Sequence, residues 1–144
     1  PTLVQDITTD KVITVYDENS YATDEKISVE PWVIEKAQEG MRLVTLPGGT
    51  AGTIFADEAI PSAGKTGTAE FCDDLAREKN LCSPGNWPAH AWYVGYAPYD
   101  DPEIAIVAFV YYGNEGSTVA APIVRKVMDA YFEIKAMDTA GSTK

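Results

Sequence analysis

Four adjacent residues, Lys65-Thr66-Gly67-Thr68, combine a cation, two hydroxyls and a bare backbone position on a predicted strand. The lysine charge can stabilise a nearby carboxylate or alkoxide, and the threonine hydroxyls can donate to a carboxylate. Gly67 has no Cβ, so another backbone can approach it. The tetrapeptide thus suits holding a peptide's carboxylate end beside a nucleophile. The Thr68 N–H could form half of an oxyanion hole, worth about 3–4 kcal/mol of transition-state stabilisation. The plainer alternative is an ordinary exposed strand.

The same stretch could instead end a phosphate-binding P-loop, whose last residues match Gly64-Lys65-Thr66. That loop needs a glycine five residues earlier, where this chain has Ala59. The residues between them contain no glycine, and those that follow do not open an amphipathic helix. The sequence therefore argues against a P-loop.

Composition limits the classes of function. The chain has 144 residues, 45% of them hydrophobic, which is enough for one domain with a single core. Its net charge of −11 argues against binding nucleic acid or an anionic membrane surface. No apolar run approaches the roughly 20 residues of a membrane span, and no signal peptide follows Pro1. No cofactor is expected. Because it starts without methionine, we expect the chain to be part of a longer protein.

The first predicted helix runs from about Val29 to Thr45, where apolar residues recur at helical spacing. Ser28 is the predicted N-cap, and Pro31 falls in the first turn, where its missing N–H is harmless. Trp32 and Met41 lie on the apolar face, so both are expected to pack in the core.

Three strands are predicted after this helix. The first, residues 62–71, carries the tetrapeptide and is followed by a polar insertion at 72–89. Residues 91–97 and 103–112 form a hairpin, because a turn rich in proline and aspartate separates them. The apolar run Ile104–Val110 does not alternate with polar residues, which predicts burial on both faces.

A last helix is predicted after Ser117 as N-cap, and a disordered tail from Met137. An apolar stripe along this helix consists of Val119, Ile123, Val127, Ala130, Tyr131 and Ile134, widened by Val124 and Met128. Residues 1–27 form an extended arm or a small hairpin, residues 28–136 the main unit, and residues 137–144 the tail. The order of elements predicts an α+β fold with an antiparallel sheet and helices packed on it.

The tetrapeptide and its neighbours resemble a known family. Residues 64–70, Gly-Lys-Thr-Gly-Thr-Ala-Glu, look like the Lys-Thr-Gly signature strand of penicillin-binding proteins and serine β-lactamases. The stretch His90–Tyr99 is similar to the next strand of class B transpeptidases, especially those of the penicillin-binding protein 2 type. Other segments that carry the resemblance are residues 40–41, 49–51, 113–117 and 120–122. The resemblance covers residues 28–135 and implies the C-terminal part of the penicillin-binding protein fold.

The resemblance implies acyl transfer on peptidoglycan. A serine attacks the D-Ala-D-Ala end of a stem peptide, D-alanine leaves, and an amine of a neighbouring strand takes the acyl group; β-lactams mimic the donor. Lys65 would join the proton and charge network, while Thr66 and Thr68 would hold the carboxylate. Gly67 would clear the backbone approach, and the Thr68 N–H would be an oxyanion donor. The family also implies an extracytoplasmic site and a parent protein anchored by an N-terminal transmembrane helix that this chain lacks.

The chain departs from the family pattern in its serines. The family's Ser-x-x-Lys spacing is matched only by Ser62 and Lys65, on the signature strand instead of at the start of a helix, so we interpret it as coincidence. No Ser-x-Asn motif accompanies it. We therefore expect one wall of the active site without the nucleophile, and no activity of this chain alone. The alternatives are a β-lactamase or D,D-carboxypeptidase, and a non-enzymatic β-lactam sensor or binding module.

Cys72 and Cys82 bracket a short loop within the insertion. A disulfide between them is favoured; it would stabilise by about 3 kcal/mol and fit an extracytoplasmic protein. Free thiols are a second alternative. A metal site with His90 and Asp73 is a third, but the spacing matches no usual zinc pattern. His90 is expected to be an ordinary partner at the start of a strand.

The insertion, which includes Trp87, could admit substrate or contact a partner, or it could be a variable surface loop. Without the outer parts of its domain, the chain would leave a strand edge and apolar surface exposed. We therefore expect this chain to self-associate.

Overall fold

The computed structural model describes residues 2–5, 12–16 and 28–141, and the chain divides into two compact units after Pro31. In the first unit, strands β1 (Thr2–Gln5) and β2 (Val12–Tyr16) pair antiparallel, with Leu3 opposite Val15. This pairing corresponds to one of the two arrangements predicted for the N-terminal segment, the small hairpin. Residues 6–11 and the predicted loop at 17–27 lie outside the described residues.

The second unit contains one three-stranded antiparallel sheet in the order β3-β4-β5. Its elements are α1 (Pro31–Thr45), β3 (Ala63–Glu70), α2 (Asp74–Glu78), β4 (Ala89–Ala97), β5 (Ile104–Val110), a π-helical turn (Gly116–Ala120) and α3 (Ala121–Gly141). Among the described residues, β3 and β5 are the edges of the sheet. The predicted strands are all present, and the short helix α2 was not predicted.

Helix α1 differs from its prediction at the N-terminus. It begins at Pro31, so Ser28 lies too far upstream to cap it. Trp32 is 63% exposed and Met41 is half-buried, so the prediction that Trp32 packs in the core is wrong for the described part of the chain. Only the last turn of α1 packs inward, through Val44 and the buried Thr45.

The core lies between α3 and one face of the sheet. Alternate residues of β4 point to this face, including Ala91 and Tyr93, which are fully buried. Val124 and Met128 of α3 pack in the same cluster. Phe55, from the loop before β3, stacks on Tyr93 with ring centroids 5.6 Å apart. The loop between α1 and β3 is therefore part of the core.

Strand β5 is buried on one face only. Ala108 is buried, whereas Val107 and Phe109 on the other face are 61% and 47% exposed. The prediction of burial on both faces is wrong for the described residues, because α3 covers one face and no described element covers the other. The exposed face continues onto Trp92 and Val94 of β4.

The approach to the last helix also differs from its prediction. Ser117 is not an N-cap, because the turn Gly116–Ala120 is π-helical and is preceded by Glu115 as cap. The α-helix then continues to Gly141, so the predicted tail is helical over residues 137–141. Those residues contain no proline, and the Thr139 hydroxyl donates to the Lys135 carbonyl oxygen at 2.9 Å. Residues 142–144 lie outside the description.

Replacing Tyr93 with phenylalanine should leave the free energy of unfolding unchanged or raise it by about 1 kcal/mol. Its hydroxyl is buried without a hydrogen-bond partner among the described residues, and this burial raises the pKa of Tyr93. Urea denaturation of Y93F measures the effect. Y111F is the matched control, because the Tyr111 hydroxyl donates to Asp73 at 2.9 Å and its loss should destabilise. A lower stability for Y93F than for Y111F would contradict the prediction.

Candidate active-site strand

Strand β3 pairs with β4 on one side and has an open edge on the other within the described chain. The Phe71 N–H donates to the Pro88 carbonyl at 2.9 Å, in the register that places Lys65 opposite Val94. Along two antiparallel strands, hydrogen-bonded residue pairs alternate with pairs that are not hydrogen-bonded to each other. Odd-numbered residues of β3 therefore bond to β4, and the even-numbered ones direct their N–H and C=O groups to the open edge. Thr66 and Thr68 are among the latter.

The side chains of the tetrapeptide divide between the two faces of the sheet. Lys65 and Gly67 share a face with Val94 and Trp92, their partners in β4, while Thr66 and Thr68 project to the opposite face. The Lys65 amine nevertheless lies at the open edge of β3, where it donates to the Thr66 carbonyl oxygen at 2.6 Å. The structure thus brings the cation and the outward main chain of Thr66 together. Lys65 and Thr68 are exposed, and Thr66 is half-buried.

A further hydroxyl lies next to Thr66. The Oγ1 atoms of Thr50 and Thr66 are 3.2 Å apart, within hydrogen-bond distance. Thr50 sits in the tight turns after α1, which are held by bonds such as that from the Ala51 N–H to the Val44 carbonyl at 3.0 Å. The sequence identified this segment only through its resemblance to the family. The contact could not be derived from spacing, because sixteen residues separate the two threonines.

Gly67 is close to a backbone of the same chain. A Cβ built on Gly116 would lie 2.2 Å from the Trp92 carbonyl oxygen and 2.5 Å from that of Gly67. The π-helical turn therefore packs directly on the β3–β4 pair where the tetrapeptide lies, and only glycine fits at residue 116. A Cβ on Gly67 itself would lie 3.0 Å from the Trp92 Cβ. Whether Gly67 also admits a substrate backbone stays a prediction.

Ser62, the serine with the Ser-x-x-Lys spacing, is buried at the start of the strand. It is 1% exposed, and its hydroxyl donates to the Glu58 carboxylate at 2.5 Å. A buried hydroxyl committed to a carboxylate cannot reach a substrate. This agrees with the interpretation that its spacing to Lys65 is coincidental.

The insertion between β3 and β4 is closed by a Cys72–Cys82 disulfide, with Cα atoms 5.8 Å apart. It contains α2, whose N-cap Asp73 accepts from the Ala76 N–H at 2.7 Å. That bond, and a second from the Tyr111 hydroxyl, hold the pKa of Asp73 below its ordinary value. These contacts are retained at neutral pH and weaken as pH falls through that lowered pKa. Aspartate is a residue type favoured at helix N-caps, so Asp73 is the sequence feature that could have predicted α2.

His90 is an ordinary partner at the start of β4. Its Nδ1 accepts from the Tyr112 N–H at 3.1 Å, and its ring stacks on Phe71 with centroids 3.8 Å apart. Among the described residues, no group of three or more His, Cys, Asp or Glu side chains could hold a metal ion.

Residues 1–129 match the protein family described as the penicillin binding protein transpeptidase domain. The chain belongs to this family. It is 38% identical over 100 residues to the peptidoglycan D,D-transpeptidase MrdA of Haemophilus influenzae, covering 67% of this chain and 15% of that protein. This chain therefore spans only about 15% of that relative's length.

Solved structures show the same likeness. Penicillin-binding protein 2 of Pseudomonas aeruginosa, crystallised with the compound WCK 5153, has a TM-score of 0.59 at 34% identity and matches 74% of this chain and 20% of that one. Penicillin-binding protein A of M. tuberculosis, solved as an imipenem acyl-enzyme, has a TM-score of 0.52 at 33% identity over 72% of this chain and 20% of that one. This chain is thus α+β, part of the penicillin-binding protein fold, and of the penicillin-binding protein 2 type. None of its described helices has the length and apolar composition to cross a membrane.

Proposed function

We propose that this chain forms the Lys-Thr-Gly wall of a D,D-transpeptidase active site whose serine nucleophile lies elsewhere in the full-length protein. The observation that carries the proposal is the open edge of β3. There Thr66 and Thr68 direct main-chain groups outward, and the Lys65 amine donates to the Thr66 carbonyl oxygen. Family membership and relatives that are D,D-transpeptidases support this reaction.

The open edge is suited to bind the end of a stem peptide as an added strand. In the proposed reaction, the serine oxygen bonds to the penultimate D-alanine carbonyl carbon, whose oxygen becomes negative. The Thr68 N–H donates to that oxygen, which is worth about 3–4 kcal/mol. The serine proton passes to the amide nitrogen as the C–N bond breaks, so D-alanine leaves with a free amino group. An acceptor amine then bonds to the acyl carbon, the serine C–O bond breaks, and the proton lost by that amine returns to the serine oxygen.

The carboxylate of the leaving D-alanine is held by the two threonine hydroxyls. Thr66 is oriented by Thr50, because their Oγ1 atoms are 3.2 Å apart. Lys65 supplies positive charge for the carboxylate and for proton transfer at the serine. A β-lactam carries its carboxylate in the same place, and its ring opens to leave an acyl group on the serine. The relative that was solved as an imipenem acyl-enzyme supports this step.

The proposed substrate also indicates on which side of the membrane the active site lies. Peptidoglycan stem peptides lie outside the cytoplasm, so we infer an extracytoplasmic site on a protein anchored by an N-terminal transmembrane helix. The Cys72–Cys82 disulfide supports this inference, because such bonds persist in oxidising compartments. The proposed partners are the D,D-stem peptide and β-lactams.

Labelling with fluorescent penicillin tests the proposal. The full-length protein should form a covalent adduct that unlabelled penicillin prevents and heat denaturation abolishes, whereas this chain alone should not label. Adduct on the isolated chain would show that it contains its own nucleophile. A full-length protein that does not label would refute the transpeptidase proposal, and rapid release of the label would favour a β-lactamase or carboxypeptidase.

We also propose that the isolated chain self-associates. The sheet face formed by Trp92, Val94, Val107 and Phe109 is exposed, and β5 has an edge that no described strand pairs. Light scattering should give an apparent mass that rises with concentration. A constant monomer mass at high concentration would contradict this.

A further inference from the structure

We propose that Glu58 and Arg42 are positioning residues for the transpeptidase reaction, because they anchor β3 at Ser62, three residues before Lys65. This inference rests on the proposed function, since it concerns how the strand of that active site is held in place. Neither residue belongs to the tetrapeptide, and neither was identified from the sequence.

The Glu58 carboxylate uses both of its oxygens at this anchor. Oε1 accepts from Arg42 Nη1 at 2.5 Å and from the Ser62 N–H at 3.2 Å, while Oε2 accepts from the Ser62 hydroxyl at 2.5 Å. The side chains of Arg42 and Glu58 are only 21% and 11% exposed. Hydrogen bonds between charged groups are stronger than neutral ones, and burial protects this pair from screening by salt.

The carbonyl oxygen of Ser62 is held from the other side. It accepts from Arg42 Nη1 at 2.7 Å and from the Thr45 hydroxyl at 2.8 Å. Every polar group of Ser62 therefore has a partner in α1 or in the loop that follows it. The preceding residue is held as well, because the Pro61 carbonyl accepts from the Tyr99 N–H at 2.7 Å. Three separate parts of the chain thus meet at the start of β3.

An anchor at its start matters for β3 because, within the described chain, this strand is paired on one side only. Two of its residues, Gly64 and Gly67, also have no side chain to pack. At Gly64 the space is filled by Tyr93, whose hydroxyl would lie 2.2 Å from a Cβ. A displacement of about 1 Å in a substrate-positioning group can lower a rate about 100-fold. The anchor at Ser62 therefore sets where Lys65, Thr66 and Thr68 lie along the edge.

A second arginine–carboxylate cluster provides a matched control. Arg125 pairs with Asp129 at 2.8 Å and with Asp57 at 3.0 Å, and its side chain is 15% exposed. It joins α3 to the loop before β3, where it donates to the Ile54 carbonyl, and none of its described contacts is with β3. Loss of one carboxylate charge here should destabilise the protein without moving the active-site strand.

The experiment compares E58Q with D129N in the full-length protein. Three quantities are measured: the second-order rate constant of acylation by penicillin, the midpoint of thermal unfolding, and amide hydrogen exchange over residues 63–70. We expect E58Q to lower acylation about 10-fold to 100-fold and to raise exchange in β3, whereas D129N should lower thermal stability and leave acylation within about 2-fold. S62A should show a smaller effect of the same kind. It replaces E58Q in the comparison with D129N if E58Q does not fold.

Two outcomes would overturn the inference. Either acylation by E58Q and S62A equals that of the unmodified protein, or D129N loses as much acylation as E58Q does. In the second case the anchor is merely one of several stabilising contacts. Failure of the proposed function is distinguishable, because an unmodified protein that is never acylated refutes the function, whereas amide exchange still reports whether Glu58 holds β3.

Discussion

Replacing Lys65 with glutamine in the full-length protein should lower the rate constant of acylation by penicillin about 100-fold to 10,000-fold. Glutamine keeps much of the side-chain length and can still donate to the Thr66 carbonyl, the contact that Lys65 makes at 2.6 Å. What it removes is the positive charge at the open edge of β3. In the proposed mechanism that charge serves both the substrate carboxylate and proton transfer at the serine.

Stability should change little in K65Q, because Lys65 is exposed and forms no ion pair with any described residue. Stopped-flow measurement of acylation, with a thermal melt of the same sample, separates the two quantities. K126Q is the control, since Lys126 is exposed on α3 and remote in sequence from the tetrapeptide. An acylation rate in K65Q equal to that in K126Q would exclude Lys65 from the mechanism.

Replacing Gly116 with alanine should lower the free energy of unfolding by about 3 kcal/mol. The added methyl group would lie 2.2 Å from the Trp92 carbonyl oxygen, 2.5 Å from the Gly67 carbonyl oxygen and 2.9 Å from the Gly67 nitrogen. All three are backbone atoms of paired strands, so they cannot move aside as the end of a flexible side chain could. The turn or the β3–β4 pair must shift, and acylation should fall with it.

Gly40→Ala is the matched control for this substitution. Gly40 lies within α1, and a Cβ there would meet nothing within 4 Å. Alanine is the better helix former, so G40A should raise the free energy of unfolding by up to about 1 kcal/mol. Urea denaturation of both variants gives the comparison. If G116A were as stable as the unmodified protein, the π-helical turn would not be packed on β3 as described.

Much of the element order could be predicted from local pattern. The 3.6-residue spacing of apolar residues predicted α1 to within two residues of its observed start at Pro31. The proline-rich turn between residues 97 and 104 predicted the β4–β5 hairpin. The tetrapeptide was assigned to a strand, and it lies in β3. These features depend on residues close together in sequence.

Which face of each element is buried could not be predicted in the same way. The apolar stripe predicted for α3 is so wide that the sequence does not decide which side of the helix packs on the core. The structure buries Val124 and Met128 and leaves Ile123 and Val127 exposed. Likewise, the apolar β5 is half exposed, since burial depends on what packs against it.

The sequence alone determined the kinds of groups present, their local periodicity and the family signature, because each is encoded within a few neighbouring residues. Tertiary structure decided how β3 is held: the anchor of Arg42 and Glu58 on Ser62, the Thr50–Thr66 contact and the packing of Gly116 on Gly67. These contacts join residues from different elements, whose separation in space is set by how the whole chain packs. Side-chain spacing along one strand or helix carries no information about them.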